Sequence, residues 1–205
     1  MNEPTSRIFT IGHSTHPLEA FLSLLRLHHI TAVADVRSAP SSRLNPHFNR
    51  DALAQALREA DIEYVFLGAD LGARSKDPAH YAAGKVQYER LENSSAFKRG
   101  IARVMDGIEE YRVALLCAEK DPLTCHRGIL ISRVLAADGL SVSHILANGE
   151  LEEHADSERR LVREVGFAEN DMFRPWDEAA AEAYRRRESE IAATTGWSTR
   201  AQSSA

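Results

Sequence analysis

The stretch RVALLCAEKDPLTCHRGILISRVLAA, residues 112–137, decides how the chain folds. It opens on a six-residue apolar run, Arg112–Cys117, of strand length and composition. It turns at Asp121-Pro122 and resumes as an apolar helical stretch, Cys125–Ala137, that ends at Gly139. Thr124 is placed to cap that helix, which would set Cys125, His126 and Arg127 in its first turn.

Worked outward, the same strand-then-helix unit recurs. RIFTI (7–11) precedes a helical face at Pro17–Leu27 that carries Leu18, Phe21, Leu22, Leu24 and Leu25. TAVAD (31–35) precedes a helix over Asp51–Ala60, and EYVFL (63–67) is a third strand. A helix over Ala96–Tyr111 feeds the run at 112–117, and Ser141–Leu146 is a fifth strand. Five alternations predict a single α/β domain of three layers, with a mostly parallel central sheet covered on both faces. Residues 68–95 hold Gly68, Gly72, Pro78 and Gly84 without a clean period. They read as a long irregular connection, and such connections are often functional. Helices are expected over 157–165 and 177–191. The α/β domain is therefore assigned to residues 1–155, a helical appendage to 156–191 and a flexible tail, AATTGWSTRAQSSA, to 192–205.

Composition narrows the classes. With 205 residues and 43% hydrophobic side chains the chain can close one sizeable core, but not two full domains. No apolar run approaches the roughly 18 residues of a membrane span. MNEPTSR lacks the basic-then-apolar pattern of a secretory signal. Two cysteines cannot build a disulfide framework, so a cytoplasmic location is expected. The net charge of −5 argues against a surface that grips DNA throughout, but not against one basic pocket. Charge is uneven: residues 1–149 hold 17 basic and 17 acidic side chains, residues 150–190 hold 7 and 13.

Ligands of open parallel sheets sit outside the carboxyl ends of the strands. The residues just after three strands are polar here: Gly12-His13-Ser14-Thr15, Asp35-Val36-Arg37-Ser38 and Cys117-Ala118-Glu119. Helix-to-strand connections show no such chemistry. At 125–127 a helix start offers free N–H groups and a positive dipole end, with Arg127 adding a fork matched to phosphate or carboxylate. The same field would activate Cys125 as a nucleophile; packing alone would make it a small buried residue and Arg127 an ion-pair partner. A phosphatase-type loop is absent, because the sixth residue after Cys117 is Leu123 and after Cys125 is Ile131. Cys117, Cys125, His126 and His144 match no recurring zinc spacing and no C-x-x-C pair exists, so no metal site is expected. In DVRSAPSSRLNPHF (35–48), Asp35 needs a partner at a buried strand end, and Arg37 or Arg43 is at hand. His47 or Phe48 could stack on a ring, or Phe48 could anchor the loop. In GHST (12–15), Gly12 permits an unusual turn, Thr15 is expected to cap the next helix, and His13 is a candidate for proton transfer. LGAR (71–74) puts Arg74 in the irregular connection, and HILANGELEEH (144–154) holds His144 and His154, residue types more often found packing than reacting.

TIGHST, DVRSAPSSRLNPHF, LGAR, LLCAEKDPLTCHR and HILANGELEEH together resemble, in order and spacing over about residues 7–155, the bacterial family known as domain of unknown function 488. The family pattern reads LGGR where this chain has Ala73. The resemblance implies a Rossmann-like α/β domain. It also implies that His13, Asp35, Arg37, Arg43, Cys117, Glu119, Cys125, His126 and Arg127 are its signature positions. It implies no particular reaction.

The leading expectation is a hydrolase or transferase acting on an anionic, phosphate-bearing small molecule such as a nucleotide. Arg37, Arg43 and Arg127 would hold the anion, with Ser38, Arg74 and Cys117 also on the substrate side. Glu119 or Asp35 would be the general base, His13 or His126 the proton donor, and Cys125 a candidate nucleophile. No dinucleotide fingerprint or phosphate loop is present, so no cofactor is expected. A nucleic-acid module using residues 37–48 and a thiol-based redox or sensing protein using Cys117 and Cys125 are the alternatives.

Overall fold

A computed structural model describes residues 7–168 and 173–194. Its strands are β1 (Arg7–Gly12), β2 (Ala32–Asp35), β3 (Glu63–Phe66), β4 (Tyr81–Ala82), β5 (Lys85–Val86), β6 (Val113–Cys117), β7 (Ser141–Ile145) and β8 (Leu151–Glu153). Six of them form the central sheet in the order β3-β2-β6-β1-β7-β8, and β4 pairs with β5 apart from it. Every neighbour in the central sheet is parallel except β8, which runs antiparallel to β7. All five expected strands are present, and the chain has the expected three-layer, Rossmann-like α/β architecture. β8 escaped notice because three residues reading Leu-Glu-Glu give no alternation to detect.

The helices are α1 (Leu18–Leu27), α2 (Arg50–Glu59), α3 (Gly68–Leu71), α4 (Tyr88–Glu92), α5 (Ser95–Glu110), α6 (Arg133–Ala137), α7 (His154–Glu164) and α8 (Trp176–Ile191). Side chains alternate along each strand, so β1 sends Phe9 and Ile11 to one core and Ile8 to the other. Phe21, Leu22 and Leu25 of α1 and Leu53 and Leu57 of α2 close the first core. Phe97, Ile101 and Val104 of α5, Leu135 of α6, Leu161 and Val162 of α7, and Ala179, Ala180, Ala183 and Tyr184 of α8 close the second. α7 and α8 thus share the core of the sheet rather than standing apart from it.

Residues 68–95 are only partly irregular: 72–77 carry no regular structure, but α3, the β4–β5 hairpin and α4 lie around them, and Leu71, Val86, Tyr88 and Leu91 enter the second core. Elements of two to five residues are too short to show a period. The chain beyond α8 pairs with this hairpin, with Val86 N–H donating to the Ala193 carbonyl at 2.9 Å and Lys85 bridging to Thr194. The rest of the tail expected from residue 192 lies outside the described residues. Among the described residues no helix is long and apolar enough to cross a membrane.

The topology marks one place. Chain leaving β1 and β2 passes to helices on one face, whereas chain leaving β6, the strand between them, passes to the opposite face. Loops that part in this way open a crevice at the carboxyl edge of the sheet, over the end of β6.

Candidate functional site

Parallel pairing puts Gly12 beside Cys117 and Asp35 beside Leu116, so three polar strand ends lie abreast. The ladder runs on past the strands: His13 N–H donates to the Cys117 carbonyl and Ser14 N–H to that of Ala118, both at 2.9 Å. Gly12 was expected to allow an unusual turn, but what it supplies is closeness. A Cβ there would overlap the Glu119 carbonyl.

The connection from β6 differs from expectation. Pro122–Thr124 forms a 3-10 turn whose Leu123 N–H is capped by the Asp121 side chain, not a loop ending at a Thr124 cap. Cys125 is extended, and Arg127–Ser132 is π-helical before α6 begins. The Cys125 sulfur itself accepts from Arg127 N–H at 3.4 Å. Arg127, expected to face an anion, is fully buried. It donates Nη1–H to the Glu119 carbonyl at 2.7 Å, Nη2–H to the Lys120 carbonyl at 3.1 Å and Nε–H to Thr10 Oγ1 at 3.3 Å. Its donors hold the loop, which leaves no face for a ligand.

That loop gathers four ionisable groups. Glu119 Oε2 lies 3.0 Å from both Cys117 Sγ and Cys125 Sγ. His126 Nδ1 lies 3.6 Å from Cys117 Sγ and 3.8 Å from Cys125 Sγ. His126 Nε2 is 3.1 Å from the Val36 carbonyl, which only accepts, so Nε2 carries a hydrogen and Nδ1 faces the sulfurs. Hydrogen bonding to Cys125, with burial, pushes the Cys117 thiol up. Burial would push Cys125 up too, but Cys117, the Arg127 charge and His126 together hold it well below the usual thiol range. Burial, with the Cys125 charge behind it, raises Glu119. Burial opposes a charge on His126, and Cys125 and Glu119 outweigh it, so His126 is raised. Both cysteines are reduced and almost wholly buried. Cys125 is 2% exposed and lines a pocket, and its sulfur lies against Glu119 and accepts from Arg127 N–H.

Two adjoining pockets meet at this cluster. One, of about 330 Å³, is lined by Arg37, Ser38, Arg74, Cys117, Glu119 and His126, among others. The second, of about 480 Å³, runs past His13, Ser14, Ser42 and Asn45, and shares Arg37, Ser41 and Glu119 with the first. Several expected site residues take other tasks. Asp35 is fully buried, accepting from Arg37 Nε at 2.9 Å, Arg37 Nη2 at 2.6 Å and Tyr64 O–H at 2.8 Å, so it is a structural partner rather than a free base. Nη1 of Arg37, which makes no hydrogen bond among the described residues, is left for the pockets it lines. His13 donates Nδ1–H to the Ser14 carbonyl, and burial lowers its pKa to about 4. At neutral pH it therefore offers an acceptor, not the expected proton. Phe48 is fully buried against His13 and Phe21, with ring centres 4.3 and 5.1 Å away, so it anchors its loop and cannot stack a base. Thr15 does not cap α1, which has no side-chain cap. Arg43 is exposed and lines neither pocket. Arg74 does line the first, exposed and with no side-chain partner among the described residues, while Ser38 Oγ accepts from its backbone N–H at 2.9 Å.

The family model described as domain of unknown function DUF488 matches residues 17–134, more than half of the chain. The chain belongs to this family. The span takes in the DUF488 segments at 35–48, 71–74 and 115–127, and stops short of TIGHST and of residues 144–154. Ala73, where the resemblance expects glycine, has a negative φ, so the DUF488 backbone needs no glycine there. Gly72 is the constrained position, since a Cβ would press on Ser38. No curated protein matches the chain significantly.

Three features had no signal in the sequence. Ile191 and Ala193 line the first pocket from the far end of the chain. Tyr64 secures Asp35 across 29 residues. A buried polar chain runs from Thr10 Oγ1 to His144 Nδ1 (2.8 Å), from His144 Nε2 to His154 Nδ1 (3.1 Å) and on to the Tyr184 hydroxyl (3.2 Å). His144 and His154 pack, as their residue type suggested, but inside the core and bonded to each other.

Proposed function

We propose that this protein is an enzyme that hydrolyses or transfers a group on an anionic, phosphate-bearing small molecule, such as a nucleotide, held in the two joined pockets. One observation carries the reading. Cys117, Glu119, Cys125 and His126, supplied by a strand end and a helix start, converge on the pocket that Arg37, Ser38, Ser41 and Arg74 also line. Three buried ionisable groups with a fourth, Glu119, partly buried against them are costly to the fold, and such clusters gather where protons are moved. Arg74, without a side-chain partner among the described residues, meets the anion, and Nη1 of Arg37 supports it. Glu119 is the general base, at the junction of both pockets.

The test is a thermal-shift screen against nucleotides, sugar phosphates, phosphate and sulfate, followed by turnover assays on each hit. A ligand at 100 times its dissociation constant adds about 2.7 kcal/mol, a shift of several degrees. Arg74→Ala should remove the shift while leaving the unliganded Tm in place. Glu119→Gln should keep the shift and lose about 10²–10⁴-fold in kcat. No stabilisation by any anion, or wild-type turnover by Glu119→Gln, refutes the reading.

A further inference from the structure

Cys117, Cys125 and His126 bring two sulfurs and one imidazole nitrogen within 4.8 Å of one another. The expectation of no metal site rested on linear spacing, which does not register a strand end folding against the next helix start. For zinc, bonds of about 2.3 Å to sulfur and about 2.0 Å to nitrogen at tetrahedral angles put sulfur and nitrogen about 3.5 Å apart. The two sulfur–nitrogen separations here are 3.6 and 3.8 Å. Both sulfur–nitrogen edges are thus within a few tenths of an ångström of those an ion would set. We propose that Cys117, Cys125 and His126 form a site for a thiolate-preferring divalent metal of the zinc class, its fourth position open to the pocket.

The surroundings are those of a ligand set. Two thiolates and an imidazole suit zinc rather than magnesium or calcium. A metal-bound histidine ordinarily gives its other N–H to a carbonyl, as His126 does to Val36 at 3.1 Å. The Arg127 N–H directed at Cys125 Sγ stabilises a thiolate there. Three protein ligands beside a pocket are the arrangement of catalytic rather than structural zinc. Uptake is a proton exchange: M²⁺, the Cys117 thiol and the Cys125 thiolate give M(S–Cys)₂ and one H⁺. Glu119 Oε2, which accepts from the Cys117 thiol in the metal-free chain, thereby loses that donor. It is then free to accept from a water in the fourth position, the task given to it above as general base. The metal site deepens that reading by naming what the reactive centre holds, yet it binds its ion whatever the substrate.

The experiment uses the full chain, reduced and stripped with a chelator, and titrates it with cobalt(II) as the probe, then with zinc. One cobalt per chain should bind with near-ultraviolet sulfur-to-cobalt charge transfer and intense visible absorption, and zinc should bleach both. Cys125→Ser and His126→Asn should each weaken cobalt binding by more than about 100-fold, the upper end of the loss from an outer-shell partner. Arg74→Ala should leave it unchanged. A readout needing no variant is alkylation of the wild type, in which zinc should protect both thiols. Weak cobalt absorption without charge transfer, or two thiols equally reactive with and without zinc, overturns the proposal. So does a Cys117–Cys125 disulfide formed by mild peroxide at a rate that zinc does not alter. These readouts are blind to the anion screen, so either idea can fail alone.

Discussion

Arg127 and Arg74 both border the same cluster and do opposite work. Arg127 is fully buried and spends its guanidinium on the carbonyls of Glu119 and Lys120 and the hydroxyl of Thr10. Arg127→Met would keep the volume and orphan the Glu119 and Lys120 carbonyls, each costing about 1–3 kcal/mol, while Thr10 keeps His144. Urea unfolding should therefore show a loss of about 2 kcal/mol or more. Arg74 is exposed, so Arg74→Ala should change stability by less than about 0.5 kcal/mol. Equal losses in the two variants would refute the division of labour. At this scale the sequence is legible where a residue must be paired. A carboxylate at the end of a buried strand needs a cation, and Asp35 has Arg37. It is illegible where two roles share one residue type, because an arginine that holds a loop and one that meets solvent read alike until their acceptors are known.

At the scale of elements, strands and long helices were legible because each buries a continuous apolar run or stripe. The π-helical turn at Arg127–Ser132 was not, since its residues would serve an ordinary helix equally well. Its start is set by tertiary contact, as Gly128 has no room for a Cβ against Pro122. The link between β7, α7 and α8 was hidden too, yet it makes a definite prediction. Burial lowers His144 well below its ordinary pKa of 6.5, with the His154 charge adding to the effect, and burial lowers His154 to about 4. The unfolded chain therefore takes up protons first as the pH falls. The stability these residues contribute is complete above about pH 6.5 and is lost as the pH falls towards 4. His154 alone accounts for about 2 kcal/mol between pH 7.5 and 5, and buried His13 acts in the same direction. Unfolding free energies across that range should fall steadily. A flat or rising profile would show that the pair is already charged in the folded state.

Over the whole molecule, the site is closed by chain that the sequence assigned to an acidic appendage. Alanines at 179, 180 and 183 give α8 a small-residue face that approaches the core closely, a stripe too weakly apolar to stand out. Glu188 then fastens α8 to α4, accepting from the backbone N–H of Tyr88 at 2.7 Å. The same two segments supply Tyr88, Ile191 and Ala193 to the first pocket, so this contact sets one wall of the pocket. Glu188→Ala removes a cap on the start of α4 and should cost about 1 kcal/mol. On the proposed function, in which the wall binds and the cluster reacts, the variant should raise KM several-fold on a substrate found by the anion screen and leave kcat near wild type. Glu188→Gln keeps an acceptor oxygen and should restore most of both losses. A fall in kcat with KM unchanged would mean that α8 acts on the reacting groups themselves, and the acidic segment would then belong to the catalytic machinery rather than to its enclosure.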